Sequence, residues 1–362
     1  MANRLEDLRS AMADTGVDLV AIGPGAHMAW LMDLRPHADE RALIGCVSAT
    51  GAAVLMPALE ADSVRAQTDL PFYTWADADG PGDALDQIVR DLAVVEAGSL
   101  VLDEGMRADH AALVQDMLPG AHRAFTGETL GRLRMRKGPE EFAALKESAH
   151  AADVAMGAAW AAMRAGMTER EVLGLTRDAF KGRGASLLFG IVGAGGNGAF
   201  PHHQTGDAVL KEGQAVVMDI GARLNGYPSD ITRMAIVGQA PDGYDAVHAV
   251  VEAAVEAALA AARPGVAAHT VDAAARRVIT DAGYGEYFVH RTGHGLGIEV
   301  HEPPYITGTS QTVLEEGMVF SIEPGIYLPD RFGIRLEEIV ILRSDGPETL
   351  SELPRDARIV GN

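Results

Sequence analysis

The chain has almost no cysteine, a shortage of basic residues relative to acidic ones, and no long uninterrupted hydrophobic run. Cys46 is the only cysteine in 362 residues, so no intramolecular disulfide can form and a reducing, cytoplasmic compartment is expected. Lys and Arg number 30 against 51 Asp and Glu, a formal charge of −21. This balance argues against nucleic acid and anionic membranes as partners, because both require a basic surface on the protein.

The scarcity of apolar runs also argues against membrane insertion or export. The first residues, MANRLEDL, are typical of a helix start and lack the apolar run of a signal peptide. The alanine-rich residues 246–262 include His248, Glu252 and Glu256, which makes this stretch an amphipathic helix and not a membrane span. We therefore expect a cytoplasmic globular protein.

The length of the chain permits two domains, each with its own core. Residues 1–132 alternate predicted helices and short strands, which indicates an α/β domain, and their polar residues form no recognisable catalytic pattern. Residues 133–362 are predicted to form an α+β domain. It opens with a long helix from Pro139 and a second helix capped by Thr168 and Glu171. Two β-rich segments separated by helices follow, which hints at a duplication into two related halves.

Five side chains of the kind that bind metals occur in the second domain, each in a distinctive short motif. They are Asp219 in VVMDIG, Asp230 in YPSDITR, His294 in RTGHGLG, Glu323 in SIEPG and Glu337 in GIRLEE. Four carboxylates and one imidazole cannot be buried together without compensating cations. This oxygen-rich set suits two divalent ions of the Mn²⁺, Co²⁺ or Fe²⁺ kind better than a structural zinc, which favours Cys and His. The sequence therefore predicts a dinuclear metallohydrolase.

The spacing around Asn225-Gly226 brings two of the five together. Two β-prone runs flank this dipeptide, which is the strongest short signal for a β-hairpin. The turn pairs Asp219 with Thr232 across the hairpin, and Asp230 is expected on the same face, diagonal to Asp219. Diagonal positions are roughly 7–8 Å apart at the backbone. The two carboxylates can therefore converge on ions about 3.5–4 Å apart, as in two-metal sites.

Three further side chains are candidates for the same site. A second β-prone run, residues 333–342, contains Arg335 and Glu337 two positions apart, so both are predicted on one face of a strand. His202 in FPHHQTG and His301 in VHEPP lie close in sequence to the ligand motifs. Each residue alone has an ordinary explanation, such as a surface acid, a turn cap, a structural histidine or a cross-strand ion pair. The hypothesis depends on the whole set occurring together.

In order, spacing and context these motifs resemble the pita-bread metallopeptidase family, which includes methionine aminopeptidase, prolidase (Xaa-Pro dipeptidase), aminopeptidase P and creatinase. The resemblance covers roughly residues 133–362, and residues 1–132 resemble the N-terminal domain of the creatinase/prolidase branch. It implies an α/β N-terminal domain followed by an α+β pita-bread catalytic domain with pseudo-twofold halves. It also implies a homodimer, in which the N-terminal domain shapes the substrate cleft.

The resemblance further implies a role for each candidate. Two divalent ions, Mn²⁺ or Co²⁺ before Zn²⁺ or Fe²⁺, are held by Asp219, Asp230, His294, Glu323 and Glu337. Asp230 and Glu337 bridge the two ions, and a bridging water or hydroxide is the nucleophile. Glu323 carries the proton of that water to the leaving nitrogen.

The remaining three residues are expected to act on the substrate. His301 stabilises the oxyanion of the tetrahedral intermediate, and His202 holds the substrate near the scissile bond. Arg335 balances the acidic cluster and meets a substrate carboxylate.

The implied activity is hydrolysis of Xaa-Pro dipeptides, and the sequence leaves alternatives open. Removal of the N-terminal residue from longer Xaa-Pro peptides, as in aminopeptidase P, would use the same ligands with a different far end of the cleft. Another metal-dependent amide hydrolase or a lyase would also keep the ligands. A binding protein on the same fold would be expected to lose ligand residues, and all five are present. The compact N-terminal domain favours the dipeptidase.

Overall fold

The computed structural model describes residues 2–361, and the chain divides into two compact units, Met1–Arg134 and Met135–Asn362. The division falls inside a short helix, whereas the sequence places the domain boundary between residues 132 and 133. No helix among residues 2–361 is long and apolar enough to cross a membrane.

The first unit is a mixed sheet accompanied by helices. Its helices are α1 (Ala2–Thr15), α2 (Ala26–Met32), α3 (Ala58–Val64), α4 (Gly82–Asp91), α5 (Ala108–Met117) and α6 (Leu130–Met135). Its strands are β1 (Leu19–Ile22), β2 (Ile44–Ser48), β3 (Ala52–Pro57), β4 (Phe72–Trp75), β5 (Ser99–Leu102) and β6 (His122–Phe125). The strand order is β4-β3-β2-β1-β5-β6, antiparallel at β1–β2 and β2–β3 and parallel elsewhere. The predicted α/β domain is confirmed.

The second unit contains two helix pairs and three sheets. Its helices are α7 (Pro139–Ala162), α8 (Glu169–Gly182), α9 (Tyr244–Ala261) and α10 (Ala268–Asp281). Its first strands are β7 (Ser186–Ala194), β8 (Ala215–Leu224), β9 (Tyr227–Pro228) and β10 (Ile231–Val237). The later strands are β11 (Gly293–Gly295), β12 (Glu302–Ile306), β13 (Val319–Ile322), β14 (Gly325–Leu328), β15 (Phe332–Arg335), β16 (Glu338–Arg343), β17 (Gly346–Thr349) and β18 (Arg358–Val360).

The order of two helices and a set of antiparallel strands occurs twice along this unit, and the last strand, β18, joins the first sheet parallel to β10. The first sheet has the order β18-β10-β8-β7 with β9 paired to β8, and the second has the order β12-β11-β13-β16-β17. Strands β14 and β15 form a separate hairpin. This repeat is the pair of related halves expected from the sequence.

The structure has both features that the sequence predicts at the N-termini of α7 and α8. Pro139 occupies the first turn of α7, where a missing N–H costs nothing. At α8 the backbone N–H of Glu171 donates to the Thr168 hydroxyl at 3.2 Å, and the N–H of Thr168 donates to the Glu171 carboxylate at 2.7 Å. This reciprocal pair satisfies two N–H groups that would otherwise lack partners.

Alternation along β8 decides which face carries the site. Val216, Met218 and Ile220 belong to the core formed with α7 and α8. Val217 belongs to the other core, formed with α9, α10 and the second sheet. Because successive side chains point to opposite faces, Asp219 lies on the face of Val217, between the two halves of the unit.

The hairpin register agrees with the prediction, but its second strand is interrupted. Leu224 pairs with Tyr227 and Asp219 pairs with Thr232. Asn225 has φ 50° and Gly226 has φ 87°, the pair of left-handed residues that a two-residue type I′ turn requires. The predicted strand over residues 227–237 is divided into β9 and β10 at residues 229–230, so Asp230 lies in the gap and not on a continuous ladder.

The predicted strand over residues 333–342 is also divided. Its first part, β15, ends at Arg335 and its second part, β16, begins at Glu338, so Glu337 lies in the link between the two strands. The two parts belong to different sheets, because β15 pairs with β14 and β16 pairs with β13.

Candidate metal centre

The β8–β10 hairpin contributes two carboxylates to the candidate centre, and the link between β15 and β16 contributes a third. Asp219 lies on β8, and Asp230 lies just before β10. Oxygen atoms of Asp219, Asp230 and Glu337 all lie within 4.8 Å of one another. The predicted convergence of the two hairpin acids is therefore present, with Glu337 added by the tertiary fold.

The glycines on either side of His294 are required by close packing of β11 between β12 and β13. A Cβ on Gly293 would lie 1.9 Å from the carbonyl oxygen of Ser321. A Cβ on Gly295 would lie 2.3 Å from the carbonyl oxygen of Pro303. Only glycine allows these backbones to approach so closely, and this approach fixes the position of His294.

His294 and Glu323 meet at the end of the second sheet. The Nε2 atom of His294 lies 3.1 Å from Oε1 of Glu323 and 3.7 Å from Oδ2 of Asp230. Its Nδ1 atom contacts the carbonyl oxygen of Gly295 at 3.1 Å, which directs Nε2 towards the carboxylates. The Ser321 hydroxyl accepts from the backbone N–H of His294 and donates to Glu323, both at 2.9 Å.

The buried carboxyl groups of this cluster need nearby positive charge in order to be ionised together. Burial, followed by repulsion from neighbouring carboxylates, raises the pKa of Asp230 and of Glu337 well above the ordinary values. Burial also raises the pKa of Asp219, although Arg335 opposes it. For Glu323, burial alone would raise the pKa, but the hydrogen bond and charge of His294 outweigh it and lower the pKa to about 2. The four acids cannot all be ionised here without further cations.

Arg335 supplies one fixed positive charge beside the cluster. Its side chain is buried, and Nη2 donates to Oδ2 of Asp219 at 2.6 Å. Nε donates to the Thr232 hydroxyl at 3.1 Å, and Nη1 donates to the Tyr327 hydroxyl at 2.7 Å and to the carbonyl of Pro201 at 3.3 Å. The predicted balancing role fits this geometry. All three nitrogens are engaged by protein groups, and the expected contact of Arg335 with a substrate carboxylate stays a prediction.

Thr232 joins the arginine to the third carboxylate. Its hydroxyl accepts from Arg335 and donates to Oε2 of Glu337 at 2.9 Å. The backbone N–H of Glu337 donates in turn to the Thr232 carbonyl at 3.3 Å. The sequence analysis placed Thr232 opposite Asp219 but assigned it no role. The feature that could have identified it is its position on the face of the hairpin that carries the two acids.

Arg233 supports Glu337 from the other face of β10. The side chain is fully buried and pairs with Glu338 at 2.9 Å. Its guanidinium also donates to the backbone carbonyls of Glu337, Leu353 (2.9 Å) and Pro354 (3.1 Å). The segment that carries Glu337 is therefore held through its side chain by Thr232 and through its backbone by Arg233.

Two buried oxygens indicate that the five residues fit a metal. Oδ1 of Asp219 and Oε1 of Glu337 are buried and accept no hydrogen bond within residues 2–361. A buried carboxylate oxygen without a donor is costly unless something else binds it. Divalent cations of the hard or borderline kind bind carboxylate oxygen and imidazole nitrogen, so the donor set matches what these two atoms lack.

A second acid and histidine group, in the first unit, lacks this feature. His27, Asp103 and Glu104 lie within 4.8 Å of one another. Asp103 accepts from the backbone N–H groups of residues 23 and 105, and Glu104 accepts from the Thr126 hydroxyl. Arg134 lies 3.1 Å from Nδ1 of His27. Protein donors already use these ligand atoms, so the group gives no indication of a metal.

The structure places His301 beside the ligands. Its ring lies 4.1 Å from that of His294, edge to face, and the side chain is exposed. Partial burial of the ring by its surroundings, then the charges of His294 and Arg291, lower the pKa of His301 to about 4. The imidazole is therefore neutral at pH 7 and can donate one hydrogen bond.

The adjacent histidines 202 and 203 have different surroundings. Nε2 of His203 lies 2.8 Å from Oε2 of Glu169, which is fully buried, so His203 is structural. His202 is exposed, and its charge contributes to lowering the pKa of both His290 and His301. Its expected role at the centre stays a prediction.

Tyr327 belongs to the centre and was not identified from the sequence. Its hydroxyl accepts from Arg335 and contacts Nε2 of His290, each at 2.7 Å. Burial raises the pKa of Tyr327 to about 12, so the hydroxyl keeps its proton and can donate to His290. Only the pairing of β14 with β15 brings Tyr327 to the site, and nothing in the motif GIYL indicates it.

The chain is similar over its whole length to known peptidases. Residues 143–344 match metallopeptidase family M24, and residues 4–136 match the creatinase/prolidase N-terminal domain. A probable dipeptidase PepE of Mycobacterium bovis is 38% identical over 366 residues, 99% of this chain and 96% of that protein. An Xaa-Pro dipeptidase of Pyrococcus furiosus is 31% identical over 358 residues, 98% of this chain and 99% of that protein.

A solved structure gives the same result for the fold. Dipeptidase PepE from Mycobacterium ulcerans superposes with a TM-score of 0.95 at 35% identity, over 100% of this chain and 98% of that one. The predicted combination of an N-terminal domain and a pita-bread catalytic domain is confirmed.

Proposed function

The chain belongs to metallopeptidase family M24, and from that premise we propose that it hydrolyses Xaa-Pro dipeptides with two divalent cations. The observation that carries the proposal is the convergence of the five ligand-type side chains with two buried oxygens that lack donors. Relatives that align over nearly the whole chain are named dipeptidase or Xaa-Pro dipeptidase, which supports a metallo-dipeptidase.

The cations would be held by Asp219, Asp230, His294, Glu323 and Glu337. When bound, they would polarise the scissile carbonyl and lower the pKa of a water molecule. Mn²⁺ or Co²⁺ suits a set of four carboxylates and one imidazole better than Zn²⁺, which favours more nitrogen and sulfur donors.

Proton transfer is assigned to Glu323. Its carboxylate is ionised at neutral pH, because the hydrogen bond and charge of His294 lower its pKa. Its contact with the Ser321 hydroxyl at 2.9 Å fixes its orientation. The leaving group of an Xaa-Pro bond is a secondary amine, which must gain a proton as the bond breaks, and Glu323 is the group placed to deliver it.

Two histidines complete the proposed machinery. His301 is neutral and exposed beside His294, so its N–H can donate to the carbonyl oxygen as negative charge develops there. His202 is exposed on the same side and would hold the substrate. We expect His301→Ala to lower turnover without loss of metal.

The experiment compares chelated and reloaded protein on three peptides. Protein stripped of metal should lose hydrolysis of alanyl-proline and regain it with Mn²⁺ or Co²⁺. Glu323→Gln should lower turnover by about 10²-fold or more, whereas Glu316→Gln, at an exposed glutamate, should not. Full activity in verified metal-free protein would contradict the assignment.

The other peptides separate the alternatives. Preference for alanyl-prolyl-alanine would indicate an aminopeptidase of the P type, and cleavage of neither peptide would indicate another amide hydrolase or a lyase. The homodimer expected from the sequence stays a prediction, which light scattering would check.

A further inference from the structure

Arg291 carries a charge that no acid balances. Its guanidinium lies over the ring of Tyr305, 4.7 Å from the centroid. Within residues 2–361 it forms no ion pair, although the chain has an excess of 21 negative charges. Two other arginines stacked on rings in the same unit have acidic partners: Arg276 pairs with Asp272 at 3.0 Å and Arg343 with Glu348 at 2.6 Å.

Arg291 lies three residues before His294 in the chain. Arg291 precedes β11, and its carbonyl contacts Nδ1 of His290 at 2.7 Å. Its stacking partner Tyr305 lies on β12, four residues after His301. Both His301 and Tyr305 are exposed, Tyr305 by 39%, so the guanidinium can be reached from solvent next to the residues proposed to contact the substrate.

We propose that Arg291, braced on Tyr305, binds the C-terminal carboxylate of the dipeptide; this rests on the proposed dipeptidase function. The carboxylate of a dipeptide lies only one residue, about 3.8 Å between Cα atoms, beyond the scissile bond. Its receptor must therefore lie close to the group that contacts the scissile carbonyl, and Arg291 stacks on Tyr305, four residues after His301. A planar guanidinium can hold a carboxylate with two parallel hydrogen bonds.

The receptor expected from the sequence, Arg335, is a weaker candidate than Arg291. Its nitrogens already donate to Asp219, Thr232, Tyr327 and the Pro201 carbonyl, and it is buried. Arg291 gives a physical basis for selecting dipeptides. A third residue moves the carboxylate away from Arg291 and replaces it with a neutral amide, so the longer peptide loses the charged contact.

The experiment compares Arg291→Met with wild type on alanyl-proline, alanyl-prolinamide and alanyl-prolyl-alanine. The metal-loaded variant should lose about tenfold or more in kcat/KM on alanyl-proline, mainly through KM, as expected for one charge-assisted contact at a part-exposed site. On the two substrates without a carboxylate at that position the change should stay below about threefold. Arg291→Lys should recover part of the loss.

Arg331→Met is the matched control, because Arg331 also stacks on a ring, that of Phe332 at 5.1 Å, and its Nη2 donates only to a backbone carbonyl. Metal content and melting temperature establish that each variant is folded and loaded. Equal losses on all three substrates, or no loss on alanyl-proline, would overturn the proposal for Arg291 while leaving the function intact.

Two other outcomes test the function separately. If wild type cleaves alanyl-leucine and not alanyl-proline, and Arg291→Met loses that activity but not activity on the corresponding amide, proline selectivity fails and the carboxylate site stands. Cleavage by wild type of longer peptides alone overturns both.

Discussion

Removal of divalent cations should make the protein less stable, and increasingly so as the pH rises. Asp230 and Glu337 are buried against other acids, and burial, followed by that repulsion, raises the pKa of each well above its ordinary value. Without cations the folded protein keeps protons on these two carboxyls that the unfolded chain releases above about pH 4. With cations bound as proposed, both carboxylates would be ligands and would carry no proton.

The sign and size of the effect follow from this difference in bound protons. A carboxyl whose folded pKa is raised contributes stability at low pH that is lost as pH rises towards the folded pKa. Each proton held only by the folded, chelated protein changes the free energy of unfolding by about 1.4 kcal/mol per pH unit. For two such protons, the gap in stability between loaded and chelated protein should widen by up to about 3 kcal/mol per pH unit.

Urea unfolding of both forms between pH 5 and 8 measures this gap. In the folded protein the pKa values of His290 and His301 are lowered to about 4, so below about pH 6.5 these two histidines make stability increase with pH. They do so in both the loaded and the chelated protein, so their contribution cancels in the difference between the two. In chelated protein, Glu337→Gln should remove one of the two bound protons, and the free energy of unfolding should then depend less steeply on pH. The control Asp207→Asn changes an exposed acid whose pKa is lowered by Arg170, so it should not. A gap independent of pH would refute the reasoning.

Three further substitutions test how the centre is held. Thr232→Val removes the hydroxyl shared by the arginine and the glutamate of the site, so divalent-cation affinity measured by calorimetric titration should fall about 10–100-fold. Gly293→Ala places a methyl 1.9 Å from a backbone oxygen, so urea unfolding should show a loss of about 1–3 kcal/mol together with weaker metal binding. Arg233→Met removes one of the two arginines paired with the buried Glu338 and leaves Arg355 as the other, so the free energy of unfolding should fall by about 3 kcal/mol, the lower end of the cost of breaking a buried pair.

Each of these has a matched control elsewhere in the same unit. Thr176→Val removes a buried hydroxyl on α8 that donates to a backbone carbonyl, and metal affinity should not change. Gly182→Ala adds a methyl with no atom within 4 Å, and stability should be kept. Arg170→Met breaks an exposed ion pair, with a cost below about 1 kcal/mol. A variant that behaved like its control would show that the contact in question does not hold the centre.

The chemistry of the centre and one of its hairpins were determined by local sequence. A strand alternates its faces with period two, and Asn225-Gly226 admits one turn type, so the pairing of Asp219 with Thr232 followed without knowledge of the rest of the chain. The glycines around His294 likewise indicated close packing. These features depend on residues a few positions apart, for which backbone geometry alone is decisive.

The remaining geometry was decided by pairings between distant segments. The sequence predicted one strand over residues 333–342, but β15 and β16 have different partners, and this division turns Glu337 towards the hairpin acids. It also brings Tyr327 to Arg335 and engages every nitrogen of that arginine.

The adjacent histidines show the same limit at a single pair of residues. The two histidines are adjacent in the sequence. Only the contact of His203 with the buried carboxylate of Glu169, 34 residues away on α8, distinguishes it from His202, which is exposed. Local sequence fixes which side chains a segment presents and on which face. Which distant groups they meet depends on long-range packing, because burial and charge compensation are properties of the whole fold.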